Sequence, residues 1–292
     1  MRRYGSQGAA LPQGAALPQG TALPQGTALP VVCLPGLART AADFHDLATV
    51  LAADAERPRL VVAIDYRGHG RSDYDRDSDN YSQAVDLADI SAALTALAVG
   101  PAIFLGTSHG GLRAMTLAVM RPTIVAGLVL NDIGPVIEPR ALMRMKRTVG
   151  QLPVPRNFAE GGEILRRMLG AQFPGLSHPE WVAFARRTWR EHKGGLVPDY
   201  DVKLARTLQR ANLERPPTLW HQFDGLGRIP LMVVRGANSD MLAATTLDAM
   251  LARRGQLDVA VVPDQGHAPL LADRKIVQRI AAFAATCDAA QP

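Results

Sequence analysis

A short apolar run that leads into a glycine-flanked serine is the feature that most constrains the fold of this chain. Residues 103–105 are typical of a buried strand, Gly106 to Gly110 form a Gly-x-Ser-x-Gly pattern, and residues 112–120 predict a helix. In such a strand-turn-helix the serine hydroxyl is lifted clear of the backbone. The glycines are needed because a Cβ at either position would collide with the neighbouring strand or helix. The pattern predicts that Ser108 is a nucleophile.

Apolar strands alternate with amphipathic helices on both sides of this turn. Further strands are predicted over residues 31–34, 60–64, 127–130, 231–234 and 257–262. Helices are predicted near residues 44–51, 87–97, 245–251 and 276–283. This alternation indicates βαβ units on a mostly parallel sheet with helices on both faces.

The alternation stops between Pro135 and about Gly227. That segment contains no buried-strand pattern, and we expect helices over residues 142–149, 164–169, 181–189 and 202–208. We therefore interpret residues 135–227 as a helical cap insertion over the sheet, and residues 31–134 and 228–292 as the α/β core.

The first 30 residues differ in character from the rest. The six residues from Ala9 to Gly14 are followed by two similar units over 15–20 and 21–26. Proline and glycine in every unit are incompatible with a regular helix, and proline is excluded from central strands. We expect residues 1–30 to form a disordered or irregular arm without chemistry.

Length, hydrophobic content and the number of cysteines restrict the classes of protein to which this chain can belong. With 292 residues, of which 47% are hydrophobic, the chain can build one large α/β domain with an insertion. No apolar run approaches the roughly 18 residues that span a bilayer, and no apolar segment of a signal peptide follows Met1 to Arg3, so we expect a cytoplasmic protein. The two cysteines, Cys33 and Cys287, are too few for a disulfide framework.

The sequence contains no motif that indicates nucleic acid, a cofactor or a metal ion as a ligand. The net charge of +5 is spread over single and paired basic residues, without an aromatic-interleaved basic patch, which argues against nucleic acid. The sequence has no phosphate-binding glycine loop, no paired-cysteine motif and no His-Glu-x-x-His, so we expect no cofactor and no metal.

Four motifs, in order, support a family resemblance that covers nearly everything from Val31 to the end. They are Leu34-Pro35-Gly36-Leu37, Asp65-x-Arg67-Gly68-x-Gly70-x-Ser72, Gly106-x-Ser108-x-Gly110, and the segments at Asp240 and Gly266-His267. In these motifs the chain resembles the α/β-hydrolase superfamily, in particular esterase- or lactonase-like serine hydrolases with a helical cap. The resemblance implies the α/β-hydrolase fold and the order nucleophile, acid, histidine.

A catalytic serine needs a hydrogen-bonded base and a third group that orients the base. His267 is the candidate base because it follows the last predicted strand, where a loop can bring an imidazole over Ser108. By resemblance, Asp240 is the acid, since it follows the penultimate strand. Asp132 is the alternative acid, since it ends the strand after the serine turn and some family members place the carboxylate there.

Two backbone N–H groups are needed to stabilise an oxyanion. One is expected from His109, at the start of the helix after Ser108, and the His109 ring is not expected to reach Ser108. By resemblance the other belongs to Leu37, although Pro35 stands where relatives usually have histidine. We expect Asp65 and Arg67 to brace the loops around the site.

The expected function is cleavage of a carboxylic ester or a lactone through an acyl-enzyme. The alternatives are C–C bond hydrolysis or cofactor-free perhydrolysis at the same triad, or a non-catalytic binding protein with this fold. Residues 138–210 contain 14 Lys and Arg against 7 Asp and Glu, which raises the hypothesis that cap arginines bind an anionic substrate; the alternative is a solvated helical surface.

The amino-terminal segment also bears on assembly. Relatives usually begin with a two-stranded hairpin, and here the repeat occupies most of that space. Loss of the hairpin would leave the strand at residues 60–64 as an exposed edge, which could pair with a second copy in a homodimer.

Overall fold

The structure is a computed structural model that describes residues 1–5, 28–209 and 218–290. The strands are β1 (Arg2–Tyr4), β2 (Val31–Leu34), β3 (Val61–Ala63), β4 (Ala102–Thr107), β5 (Val125–Asn131), β6 (Trp189–His192), β7 (Gly195–Pro198), β8 (Leu231–Gly236) and β9 (Asp258–Val262). The α-helices are α1 (His45–Ala52), α2 (Gln83–Ala96), α3 (His109–Met120), α4 (Pro139–Thr148), α5 (Phe158–Leu169), α6 (His178–Arg186), α7 (Ala205–Gln209), α8 (Trp220–Asp224), α9 (Ala244–Arg253) and α10 (Arg274–Ala289).

Seven strands form one sheet in the order β1-β3-β2-β4-β5-β8-β9. Every neighbouring pair from β3 to β9 is parallel, and β1 alone runs antiparallel. The central strands are apolar along most of their length because both faces are covered, and their polar residues Thr107, Asn131 and Arg235 lie at or near the carboxyl ends. Along β4, Phe104 packs into the core with α2, α3 and α9, whereas Ile103 and Leu105 pack into the core with α1 and α10. The predicted fold class, a mostly parallel sheet with helices on both faces and a cap, is confirmed.

The amino-terminal prediction is corrected at its first residues. Arg2 to Tyr4 form a regular strand that pairs with β3, with Arg2 opposite Ala63, and Tyr4 is fully buried. The edge of β3, which complete loss of the amino-terminal hairpin would have left exposed, is therefore covered by β1. Most of the predicted repeat, from residue 6 to residue 27, lies outside the described residues. A homodimer remains a prediction, but it loses the physical basis that an open β3 edge would supply.

The insertion contains strands that the sequence patterns did not indicate. The predicted helix over 181–189 ends at Arg186, and Trp189 begins the antiparallel hairpin of β6 and β7. The two turn residues, Lys193 and Gly194, have φ values of 47° and 79°, as expected for the two-residue turn that best fits the twist of a hairpin. The insertion has its own apolar core, in which Trp181 stacks on Phe184.

None of the helices in the described ranges combines the length and the apolar character that crossing a bilayer requires.

The close backbone approach at the serine turn gives the first prediction. A Cβ at Gly110 would overlap the carbonyl oxygen of Leu34, a backbone atom that cannot move aside without displacing β2. We expect Gly110→Ala to lower the free energy of unfolding by about 3 kcal/mol, measured by urea denaturation. Gly100→Ala is the matched control, because a Cβ there meets no atom within 4 Å, and it should change stability by less than about 1 kcal/mol. Equal effects of the two substitutions would contradict this explanation of the turn.

Candidate active site

The turn between β4 and α3 holds Ser108 in a conformation that non-glycine residues rarely adopt. Ser108 has φ 51° and ψ −116°, and α3 begins at the next residue. Its backbone N–H donates to the carbonyl oxygen of Asn131 at 3.0 Å, which ties the turn to the end of β5. A positive φ at a serine is strained, and such strain is found where the surrounding structure fixes a functional side chain.

Ser108, His267 and Asp132 form a continuous chain of hydrogen bonds. The Ser108 Oγ lies 2.8 Å from Nε2 of His267, and the His267 Nδ1 lies 2.8 Å from Oδ2 of Asp132. Asp132 is fully buried and Ser108 is nearly so. With the Nδ1 proton directed at the carboxylate, Nε2 of a neutral imidazole is left free to accept the hydroxyl proton. The structure thus brings together Ser108 and His267 as expected, with the alternative carboxylate.

The expectation that Asp240 orients His267 is corrected. Both carboxylate oxygens of Asp240 bind Arg144 of α4, at 2.7 and 2.8 Å, and Oδ2 also accepts from Gln172 at 3.2 Å. Asp240 lies four residues beyond the end of β8, and this extension turns its side chain towards the cap. Its preceding residue, Ser239, points the other way and binds Asp132.

Asp132 owes its position to the strand order. It directly follows β5, the neighbour of the serine strand β4, so its side chain starts at the sheet edge beside Ser108. Besides His267, the backbone N–H of Gly236 donates to its Oδ1 at 2.9 Å and the hydroxyl of Ser239 donates to its Oδ2 at 2.6 Å. These hydrogen bonds offset the free-energy cost of the complete burial of the Asp132 carboxylate. The sequence signal for Asp132 was its place at the very end of that strand.

Gln172, which no sequence pattern indicated, connects the cap to the histidine loop. Its Oε1 accepts from the backbone N–H of His267 at 3.0 Å, while its Nε2 donates to Asp240. The Gln172 carbonyl oxygen also accepts from the side chain of Asn238 at 3.2 Å. A cap residue therefore helps to fix the backbone of the loop that carries the imidazole.

Leu37 and His109 lie where an oxyanion site would need them. Leu37 is in the turn after β2 and lines the same cavity as Ser108, and His109 opens α3. Across residues 1–5, 28–209 and 218–290, no atom accepts a hydrogen bond from the backbone N–H of either residue. The α3 N-terminus also favours negative charge at this point.

His69 supports the turn that carries Leu37. The backbone N–H of Ala38, a residue with φ 59°, donates to Nε2 of His69 at 3.3 Å, and the His69 Nδ1 lies 3.0 Å from the carbonyl oxygen of Arg67. Burial lowers the pKa of His69, which keeps its ring neutral and able to accept from Ala38. This imidazole comes from the glycine-rich loop and not from the turn itself, where Pro35 stands.

The glycine-rich loop braces its surroundings, as expected for Asp65 and Arg67. The Asp65 carboxylate accepts from the backbone N–H of Ala41 at 2.7 Å. Arg67 binds Asp75 in its own loop and Asp89 of α2, at 2.6 and 2.7 Å. These contacts hold the segments that surround the site without reaching Ser108.

The side chain of His109 points away from Ser108. Its Nε2 lies 3.2 Å from Asp86, which also binds Arg113 at 3.0 Å. Burial, assisted by the charge of Arg113, lowers the pKa of His109 to about 4, although Asp86 acts in the opposite direction. His109 is consequently neutral at pH 7, and its ring belongs to the packing behind the serine turn.

A cavity of about 180 Å³ lies over Ser108 and is walled by both the core and the cap. Its cap side is largely apolar, with Met145, Val149, Leu152, Leu165, Met168, Leu169 and Phe184. Its charged lining side chains, apart from His267, are Arg39, Asp43, Arg144 and Arg187. Within the described ranges, no group of three or more His, Cys, Asp or Glu residues is arranged to hold a metal ion.

The environment of His109 predicts a pH dependence of stability. The unfolded chain binds a proton at this residue near pH 6.5, the folded chain only near pH 4, so the stabilising contribution is complete above about 6.5 and is lost as the pH falls towards 4. Between pH 7.5 and 5, the free energy of unfolding should fall by about 1–2 kcal/mol more in the wild type than in His109→Gln. Denaturant titrations at the two pH values measure this difference.

The control for this prediction is a histidine outside the buried network. His192 is exposed in the cap hairpin, so His192→Gln should show the same fall in stability as the wild type. If His109→Gln also loses as much stability as the wild type on acidification, the assignment of the effect to this side chain is wrong.

Comparisons with known proteins identify the family. The model of the Alpha/beta hydrolase family matches residues 31–279. Over 259 residues the chain is 33% identical to a 3-hydroxybutyrate-oligomer hydrolase of Cupriavidus necator, covering 83% of this chain and 84% of that protein. It is 28% identical over 209 residues to a 2-(acetamidomethylene)succinate hydrolase of Mesorhizobium japonicum, covering 71% of each.

Solved structures give the same result. An alpha/beta hydrolase from Novosphingobium aromaticivorans, 35% identical in sequence, superposes with a TM-score of 0.80 and covers 88% of this chain and 90% of its own. The serine turn, the order of the strands and the extent of the sequence match together show that this chain belongs to the alpha/beta hydrolase family.

Proposed function

We propose that the protein is a serine hydrolase that cleaves carboxylic esters through an acyl-enzyme. The observation that supports this most strongly is the unbroken chain of hydrogen bonds from Ser108 through His267 to buried Asp132, at the floor of a cavity large enough for a small substrate. In this proposal Asp132 takes the role of the orienting acid, and Asp240 belongs to the attachment of the cap.

The mechanism follows from the positions of these groups. The Ser108 Oγ attacks the ester carbonyl carbon while Nε2 of His267 takes the hydroxyl proton, and Asp132 stabilises the imidazolium. The N–H groups of Leu37 and His109 stabilise the oxyanion. His267 then returns the proton to the departing alcohol. Water, activated by the same imidazole, attacks the acyl-enzyme and releases the acid, which restores Ser108.

The name of one relative supports an ester bond, and the names of two support an anionic substrate. One is a 3-hydroxybutyrate-oligomer hydrolase, and oligomers of 3-hydroxybutyrate are chains of ester-linked hydroxy acids that end in a free carboxylate. The other is named for a substituted succinate, which carries two carboxylates. We therefore propose short esters of hydroxy acids as the substrate class, with the linear 3-hydroxybutyrate dimer as the first compound to test.

The role of Ser108 is tested by its removal. Ser108→Ala should lower kcat for hydrolysis of p-nitrophenyl butyrate by about 10⁴-fold or more while KM changes little, because the cavity remains. A fluorophosphonate probe should label the wild type and not the variant. A wild type that neither turns over esters nor reacts with the probe would falsify the proposed function.

The choice between the two carboxylates is tested by a matched pair of substitutions. Asp132→Asn leaves the shape of the site but removes the charge that orients and stabilises His267, and kcat should fall by about 10³–10⁴-fold. Asp240→Asn makes the same chemical change outside the triad and should lower kcat by less than about tenfold. The two variants are compared on p-nitrophenyl butyrate, and the reverse order of effects would return the acid role to Asp240.

A further inference from the structure

Three arginines line the cavity over Ser108, and two of them are fully engaged. Arg39 binds both carboxylate oxygens of Asp43, at 2.5 and 2.8 Å, and also donates to the hydroxyl of Thr188 at 2.8 Å. Arg144 binds both oxygens of Asp240. In each of these arginines, the pair of N–H donors that could bind a substrate carboxylate is already bound to an aspartate.

Arg187 differs from these two arginines in its hydrogen bonding. No residue in the described part of the chain makes a hydrogen bond to its guanidinium. Its two nearest carboxylates are Asp43 and Asp46, with N to O separations of 3.7 and 3.8 Å, too long for hydrogen bonds. The side chain is only 18% exposed and lies 6.0 Å from the ring of Phe184. A largely buried cation with five donors and no acceptor is costly unless a ligand supplies one.

The local charges leave Arg187 as the least compensated of the three arginines on this wall, because its two ion pairs are long and neither is a hydrogen bond. Among the residues that the structure describes, Asp43 is the only carboxylate that lines the cavity, and Arg39 binds both of its oxygens. Asp46 has a side chain that is 48% exposed, so water screens its effect on Arg187. Burial, assisted by the charge of Arg39, lowers the pKa of Arg187 more strongly than these two carboxylates raise it, although an arginine still carries its charge at pH 7.

Arg187 lines the same cavity as Ser108, and Arg39 connects the serine turn to the neighbouring residue, Thr188. A Cβ at Gly36 would lie 3.6 Å from the Cβ of Ser108 and 3.5 Å from the Cγ of Arg39, so the Arg39 side chain begins beside the nucleophile. Its guanidinium then reaches Thr188, the residue that follows Arg187. Arg39 therefore extends from the serine turn to the residue next to Arg187.

We propose that Arg187 is the binding residue for a free carboxylate on the ester substrate, and that it makes the enzyme selective for anionic esters that are cleaved near their charged end. This inference rests on the proposed function of the Ser108 site. It identifies which of the basic residues of the cap acts on substrate: the arginine whose donors are free inside the cavity, and not the basic helical surface as a whole.

The test compares two substrates that differ only in this charge. The linear 3-hydroxybutyrate dimer and its methyl ester share the same internal ester bond, and cleavage of that bond is followed by chromatography of the products. The wild type should prefer the anionic dimer. In Arg187→Met the ratio of kcat/KM for the dimer to kcat/KM for the methyl ester should fall by about 10–100-fold, the range expected for loss of a charge-assisted, two-pronged contact.

The matched control is the preceding arginine, the last residue of α6. Arg186 is exposed, lies over the ring of Phe158 and does not line the cavity, so Arg186→Met removes one cap charge and should leave the substrate ratio at the wild-type value. An equal fall in both variants would assign the preference to the general charge of the cap and overturn the proposal.

The outcomes separate this inference from the proposed function. Hydrolysis of both substrates by the wild type, with the same ratio in wild type and Arg187→Met, overturns the carboxylate site and leaves the ester hydrolase intact. If Arg187→Met does not fold, Arg187→Lys replaces it: the retained charge without the two-pronged geometry should still lower the ratio by several-fold, and an unchanged ratio again overturns the proposal. Absence of any ester hydrolysis in the wild type indicates failure of the proposed function itself.

Discussion

Backbone crowding at the end of β4 is the constraint on which the rest of the site depends. Gly106 packs on the first turn of α3, and Gly110 packs on the carbonyl oxygen of Leu34, so α3 lies directly against β4 and β2. This proximity forces the sharp turn that presents Ser108. It also places the serine at the sheet edge where the parallel strands end, and the groups that surround Ser108 follow β2, β5 and β9 at that same edge.

Burial distinguishes the two carboxylates near this edge. Asp132 is fully removed from water and can remain charged there because His267, Gly236 and Ser239 donate to it. The side chain of Asp240 is 28% exposed and is balanced by Arg144. A fully buried anion fixes the position of an imidazole far better than a partly hydrated one that is already paired, which is the physical reason for assigning the orienting role to Asp132.

Polar contacts attach the cap around the rim of the cavity. Arg144 binds Asp240, Thr188 accepts from Arg39, and Gln172 accepts from the backbone of His267. On the far side, the phenol of Tyr81 donates to Asp201 at 2.6 Å. In the proposed function the core carries the reacting groups, while the cap supplies most of the apolar wall and Arg187, a cavity-lining guanidinium to which no described residue makes a hydrogen bond. The proposed selectivity and the proposed chemistry would then reside in different parts of the chain, and Gln172 connects them.

The sequence by itself determined the features that short-range chemistry fixes. The Gly-x-Ser-x-Gly pattern between a strand and a helix specifies Ser108, and continuous apolar strands separated by amphipathic helices specify a parallel sheet covered on both faces. The sequence also narrowed the acid to Asp132 and Asp240, since both follow strands of that sheet. It did not indicate β1, because a three-residue strand is too short for a periodic pattern. It did not indicate the cap hairpin either, because that hairpin is defined by its two-residue turn, Lys193-Gly194, and not by a periodic pattern along its strands.

Only the tertiary structure decided between the two carboxylates and among the cap arginines. The direction of the Asp240 side chain depends on Arg144, which is 96 residues away in the sequence, and the free state of Arg187 depends on Asp43 being occupied by Arg39. Both properties depend on which donors lie within hydrogen-bond distance of which acceptors in the folded chain. No local pattern encodes them, because each partner is contributed by a different segment of the chain.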